Sequence, residues 1–183
     1  MRPILLSIFC VSLLLTTSCN VNVANETEVA RIDSTMSVLN TTIEALDTID
    51  ITSFDEMTKK LEILDKEVWT FYEKGDTAKI WRNEISSLQK CIKSLSRYAG
   101  ESTSIRKSLL ENKKQLESLK HDLEHDLVEK NKIEEYVATE LAMTTKSLSR
   151  SAKRGGRALN CIQNYDQIVM RTDSRLTHLK LND

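Results

Sequence analysis

After Pro3 the chain contains no proline, and its only glycines are Gly75, Gly100, Gly155 and Gly156. So few breakers exclude a fold of short strands and tight turns and favour long helices. No segment shows sustained alternation of apolar and polar residues bounded by turn residues, which argues against strands. Nor is there a basic excess: 26 Lys and Arg face 27 Asp and Glu. That balance speaks against a dedicated nucleic-acid binder. Beyond residue 15 no apolar run approaches the length needed to cross a bilayer.

What is present is helical periodicity. Val29, Ile32, Met36, Leu39, Ile43 and Leu46 recur at steps of three and four, a heptad seam. The seam stops at Asp50-Ile51-Thr52-Ser53, where Ser53 and Glu56 have the spacing of a capping box. A second seam runs through Met57, Leu61, Leu64, Val68 and Phe71. Lys74-Gly75-Asp76 reads as a turn. Trp81, Ile85, Leu88, Ile92, Leu95 and Ala99 line a third helix that Gly100 is placed to end. A very long helix then spans about 102–153 through Ile105, Leu109, Leu116, Leu119 and Leu123, with a stutter before Leu127, Val137, Leu141 and Leu148. Gly155-Gly156 should break it, leaving a last helix over about 158–179. The expected fold is therefore all-α: an antiparallel helical bundle or coiled coil of about five helices, one long enough to project. Trp69, Phe71, Tyr72 and Trp81 flank the Gly75 turn and are expected to plug the end of a helix hairpin.

The N-terminus carries a different signal. Arg2 is followed by an apolar run from Ile4 to Leu15, then Thr16, Thr17, Ser18 and Cys19. That is the layout of a secretory signal peptide. Leu15-Thr16-Thr17-Ser18-Cys19 resembles the lipobox of bacterial lipoproteins, and its ending is similar to that of Bacteroidetes-type members. It departs from the commonest pattern, which has Leu three places before the Cys and Ala or Gly just before it. The resemblance covers only the first twenty residues. It implies cleavage before Cys19 and acyl chains on that residue, several of which hold a protein stably at a membrane. Asn20, in place of the Asp that retains the best-known lipoproteins at the inner membrane, implies the outer membrane. The implied organisation is a signal peptide over 1–18, a lipidated tether over 19–25 and one helical domain over 26–183. Cys91 and Cys161 then remain, either as a disulfide or as two buried thiols.

Three further features bear on function. The first is "HDLEHD", His121 to Asp126. Its H-x-x-E-H order is that of an inverted zinc-peptidase motif, and His121 and His125 fall about 40° apart on a helix. A catalytic zinc needs a third protein ligand. Glu134, Glu135 and Glu140 are expected on the same helix, unable to fold back, and the imidazoles should face water. His121 and His125 are thus weak metal candidates, and neither an enzyme nor a cofactor is expected. The second is a basic stripe, Lys146, Arg150, Lys153, Arg154 and Arg157, with no acid between Glu140 and Asp166. It reads either as a contact for an anionic partner or as cations suited to the end of a long helix. The third is a pair of glycosylation sequons, at Asn25 and Asn40.

The expectation is a lipid-anchored helical envelope protein that binds or scaffolds. Its partner would be an envelope protein or a second copy, met through Leu127, Val137, Leu141 and Leu148, with neither nucleic acid nor a small-molecule substrate. The alternative is a secreted eukaryotic helical ligand carrying glycans at the sequons. The low aromatic content, 5%, and the length of the fourth helix argue against it.

Overall fold

The seams assemble into three rods. A computed structural model describes residues 23–72 and 78–181, and among these every regular element is helical. The elements are α1 (Val23–Asp47), α2 (Phe54–Tyr72), α3 (Ala78–Glu124) and α4 (Ile133–Lys180), with 3₁₀ turns at Ile51–Ser53 and Lys130–Lys132. α3 and α4 have 47 and 48 residues, so each is about 70 Å long.

α3 and α4 lie antiparallel and pair along their whole length. Ser108 meets Ser147, Arg150 and Arg154 meet Glu101, Cys91 is bonded to Cys161, and Arg171 meets Glu84. α1 and α2 follow one another along the third side. At one end Asn25 of α1 reaches Leu123, and Lys120 reaches Asp33. Near the middle Asp47 pairs with Arg106, and Phe54 packs on Tyr98 with ring centroids 6.3 Å apart. At the far end Lys180 meets Glu67. The result is a three-helix bundle, with one rod interrupted at residues 48–53.

The all-α bundle expected from the sequence is present, but its helix boundaries are not. Gly100 does not end a helix and Gly155-Gly156 does not break one; all three lie inside α3 and α4. Tyr98 and Ile105 are buried on either side of Gly100, and Ser151 and Ala158 on either side of the glycine pair. Packing of those faces outweighs a helix penalty of about 1 kcal/mol per glycine. The helix expected over about 102–153 is instead cut at 125–132. No long helix projects, because α3 and α4 cover each other.

That cut is made without glycine or proline. Asp126 adopts φ 52°, a left-handed conformation that Asp tolerates better than most residues. The Leu127 amide donates to Asp122 O at 2.8 Å and the Asp126 amide to Leu123 O at 3.4 Å. This is a Schellman cap, with Asp where Gly usually sits. At the other interruption Asp50 does the capping expected of Ser53. Its Oδ1 accepts from the Thr52 amide at 2.9 Å and from the Thr52 hydroxyl at 2.6 Å, while the Ser53 hydroxyl donates to the Asp50 carbonyl. The two bonds from Thr52, its hydroxyl's foremost, hold the Asp50 carboxyl below its ordinary pKa.

The seams of α1, α2 and the first half of α3 enter the core as expected, apart from Ala99, which is exposed and whose place Tyr98 takes. α4 differs. Its most buried positions are mostly small residues at heptad spacing, Val137, Thr144, Ser151, Ala158 and Thr172, with the half-buried Tyr165 at the skipped position. Leu141 and Leu148 are half-buried beside them, and Leu127 is 66% exposed at the turn. The residues expected to reach a partner are therefore largely consumed within the chain. The Lys74-Gly75-Asp76 turn lies outside the described residues. Beside it Trp81 is buried, while Trp69 lies edge-on against Tyr72 at 5.0 Å with part of its ring in solvent.

A Cβ on Gly155 would run into Leu46 Cδ2, whereas one on Gly100 or Gly156 meets nothing within 4 Å. Gly100→Ala and Gly156→Ala are each expected to raise unfolding stability by about 0.5–1 kcal/mol, from helix propensity alone. Gly155→Ala is expected to gain nothing, because Leu46 must move. Urea titrations of the three variants check this, and a destabilising Gly100→Ala would contradict a continuous α3. Cys91 and Cys161, with Cα atoms 5.2 Å apart and 70 positions apart in the chain, lock α3 to α4. Replacing both with Ser is expected to lower stability by about 2–4 kcal/mol. An unchanged denaturation midpoint would show that the cross-link contributes nothing.

Candidate functional site

On the outer side of the α3–α4 seam, away from α2, lies an open groove of about 970 Å³. The heptad pattern turns the apolar face of each helix inward, so polar residues form the groove walls. α3 contributes Lys90, Lys93 and Arg97, and α4 contributes Lys153, Arg154, Arg157 and Arg171. No acidic residue lines it. Ser87, Ser94, Asn160, Asn164 and Gln167 supply hydroxyls and amides. The floor is made of the Cys91–Cys161 bridge, Ala152, Gly156 and Ile168.

The stripe read from the sequence divides at this groove. Lys153, Arg154 and Arg157 line it. Arg150 lies beyond its lining and is held by Glu101, to which its Nη2 donates at 3.0 Å and its Nε at 3.2 Å. Arg154 Nε reaches the other Glu101 oxygen at 3.3 Å. Lys146 is exposed one turn earlier and takes no part. At the opposite end Glu84, only 2% exposed, accepts from Arg171 Nε at 2.9 Å and from Arg175. Glu101 and Glu84 thus anchor the groove's two ends. Between them Lys90, Lys93, Arg97, Lys153 and Arg157 have no ion-pair partner among the described residues.

The alternative explanation of the stripe as a helix-end feature does not fit this placement. The stripe lies at least three turns from either end of α4, and the macrodipole acts only within the last turn. The α3 cations, separated from the stripe by about fifty residues of sequence, were not suspected from the sequence. Their steps of three and four from Lys90 to Arg97 were the available signal.

"HDLEHD" is the C-terminal end of α3. His125 Nδ1 lies 2.8 Å from the His121 carbonyl, and the two rings lie tilted by 37° with centroids 4.1 Å apart. Both side chains are exposed, as expected, at the helix end, where imidazoles can satisfy orphan carbonyls. The expected reason against a metal needs correction: Glu134, Glu135 and Glu140 are on α4, which does fold back. Among the described residues no group of three or more His, Cys, Asp or Glu could hold a metal. Of the sequons, Asn25 is 7% exposed and its Nδ2 donates to Leu123 O at 3.1 Å and to Asp126 Oδ1 at 3.0 Å. An attached glycan has no room there. Asn40 is half-buried.

Cys19 and the signal segment lie outside the described residues. α1 starts at Val23, so the last three positions of the tether expected over 19–25 are helical. Among the described residues no helix is long and apolar enough to cross a membrane. No protein family, curated protein or solved structure matches this chain.

The ion pairs at the groove carry a pH dependence. The hydrogen bond from Arg150, with the charge of Arg154 beside it, holds the Glu101 carboxyl below its ordinary 4.5. A carboxyl with a lowered folded pKa stabilises the fold fully above its unfolded value, and loses that contribution as pH falls through the folded one. The melting-temperature difference between the wild type and Glu101→Gln should therefore be constant above about pH 5 and shrink toward zero in more acidic buffer. A difference independent of pH would mean that the pair does not stabilise the bundle.

Proposed function

We propose that this chain is a lipid-anchored helical protein of the cell envelope that works by binding an anionic partner, not by catalysis. The observation that carries the binding role is the groove, where Lys90, Lys93, Arg97, Lys153 and Arg157 from two helices face each other with no acid between them. Like charges held close repel, and an anion between them relieves the repulsion. The binding reading rests on this grouping of cations rather than on a nucleophile paired with a base, an arrangement of the kind an enzyme needs. The anchoring role rests on the apolar run ending at Cys19. Acylation there would attach the protein to the outer membrane through several chains, without a spanning helix.

The start of α1 gives this reading a direction. Val23 follows Cys19 by four positions, and Asn25 is tied to the α3–α4 turn. A chain held at Cys19 has that turn at its anchored end. The groove begins at Arg97 on α3, 26 residues before Leu123, and at Ala152 on α4, 19 residues after Ile133, which places it about 30–40 Å from the anchored end.

The test is intact mass and detergent phase partition of the protein, beside Cys19→Ala. The expected result is a mature N-terminus at Cys19 carrying acyl mass, with the variant moving to the aqueous phase. An unmodified, water-partitioning N-terminus would overturn the anchor.

A further inference from the structure

We infer that the α3–α4 groove is a binding site for a multiply anionic glycan, a sugar chain bearing phosphate, sulfate or carboxylate groups along its length. The inference rests on the binding role proposed above and names the class of partner.

Three observations lead to it. The first is extent. The groove runs from Ser87 to Arg97 on α3 and from Ala152 to Arg171 on α4, or about 15 Å and about 28 Å of helix. One small anion reaches only a few of these cations, so a ligand that uses the set must carry several charges along its length. The second is register. The Glu101–Arg154 and Cys91–Cys161 contacts bring Arg97 level with about Arg157, so cations flank the same track from both sides. The cross-link in the floor fixes the spacing of the two walls.

The third is the chemistry between the charges. A docking helix needs apolar pockets for its anchor residues. Here Ile168 is the one large aliphatic side chain, and the rest of the floor is small. The walls instead offer amides. Asn164 Nδ2 is used by Asn160, which leaves Asn164 Oδ1 to accept and Asn160 Nδ2 to donate. Gln167 is exposed beside them. Groups that both donate and accept suit sugar hydroxyls, and the cations suit the anionic substituents. The position of the groove, about 30–40 Å from the anchored end, favours a partner outside the protein's own membrane over the head groups beneath it.

The test uses the full-length chain in detergent at about 150 mM salt. The probe is a fluorescent heparin-derived octasaccharide. Competitors are poly-glutamate of matched charge, inorganic sulfate, and vesicles carrying a phosphorylated glycolipid. The variant combines Lys93→Ala, Arg97→Ala, Lys153→Ala and Arg157→Ala, none of which is ion-paired among the described residues. The control combines Lys59→Ala and Lys66→Ala on α2. We expect the octasaccharide to bind, sulfate at equal anion concentration not to displace it, and the groove variant to bind at least about tenfold more weakly. The control should bind as the wild type does, and circular dichroism should show all three folded alike. Displacement by the vesicles would support a lipid-borne glycan, and its absence a free one.

Unchanged affinity in the folded groove variant would overturn the inference. Tighter binding of poly-glutamate than of octasaccharide would also overturn it, by making the partner an acidic polypeptide while keeping the groove as a site. Failure of every probe would remove the binding role as well, and a missing acyl mass would remove the anchor and with it the preference for a partner outside the membrane, but not the groove.

Discussion

The side-by-side pairing of α3 and α4 is the contact on which the other features depend. It works because α4 turns mostly small residues toward its neighbours at heptad spacing, Val137, Thr144, Ser151, Ala158 and Thr172, with the half-buried Tyr165 at the one larger position between the last two. With Gly155 among them, α1 can bring Leu46 down onto the α4 backbone. Close approach of this kind extends dispersion contacts along the whole seam. The Cys91–Cys161 bridge and the Glu84 and Glu101 ion pairs then fix the register. Once the register is set, the basic residues of the two helices have to share one outer face.

That shared face gives a nearly neutral chain a strongly polarised surface. Net charge is −1, yet the groove collects seven cations and no acid. Acids gather instead around the α3–α4 turn, in Asp122, Glu124, Asp126, Glu129, Glu134 and Glu135. Glu84 and Glu101 are the exceptions that stabilise the groove's ends. Glu84 in particular is a buried carboxylate, which is tolerable only because two guanidinium groups satisfy it.

Much of the architecture was legible in the sequence. The heptad seams of α1, α2 and the first half of α3 name residues that the core does contain, because apolar residues at steps of three and four share one helix face, and that face is the one buried. The breakers were less reliable. Gly100, Gly155 and Gly156 look like helix ends, but local propensity costs about 1 kcal/mol while the flanking packing contributes more. The real break, at Asp126, has no glycine to announce it. Its "HDLEHD" context draws attention to metal chemistry when the residues are serving as a helix cap. The stripe of α4 was visible as a run of cations, and half of the candidate site was therefore legible. The rest, Lys90, Lys93 and Arg97 of α3 and Arg171 of α4, was not, since residues so distant in sequence meet only through the hairpin.

Local order along the chain determined the helical class, the inward seams and the apolar N-terminal run with its cysteine. These depend on neighbours three and four positions apart, or on composition, and both can be read without a fold. Tertiary structure alone decided that α4 passes unbroken through two glycines, that Cys91 meets Cys161, and that two sets of cations form one groove. Each of those outcomes is a contact between distant segments, and its energy exists only once the helices have packed.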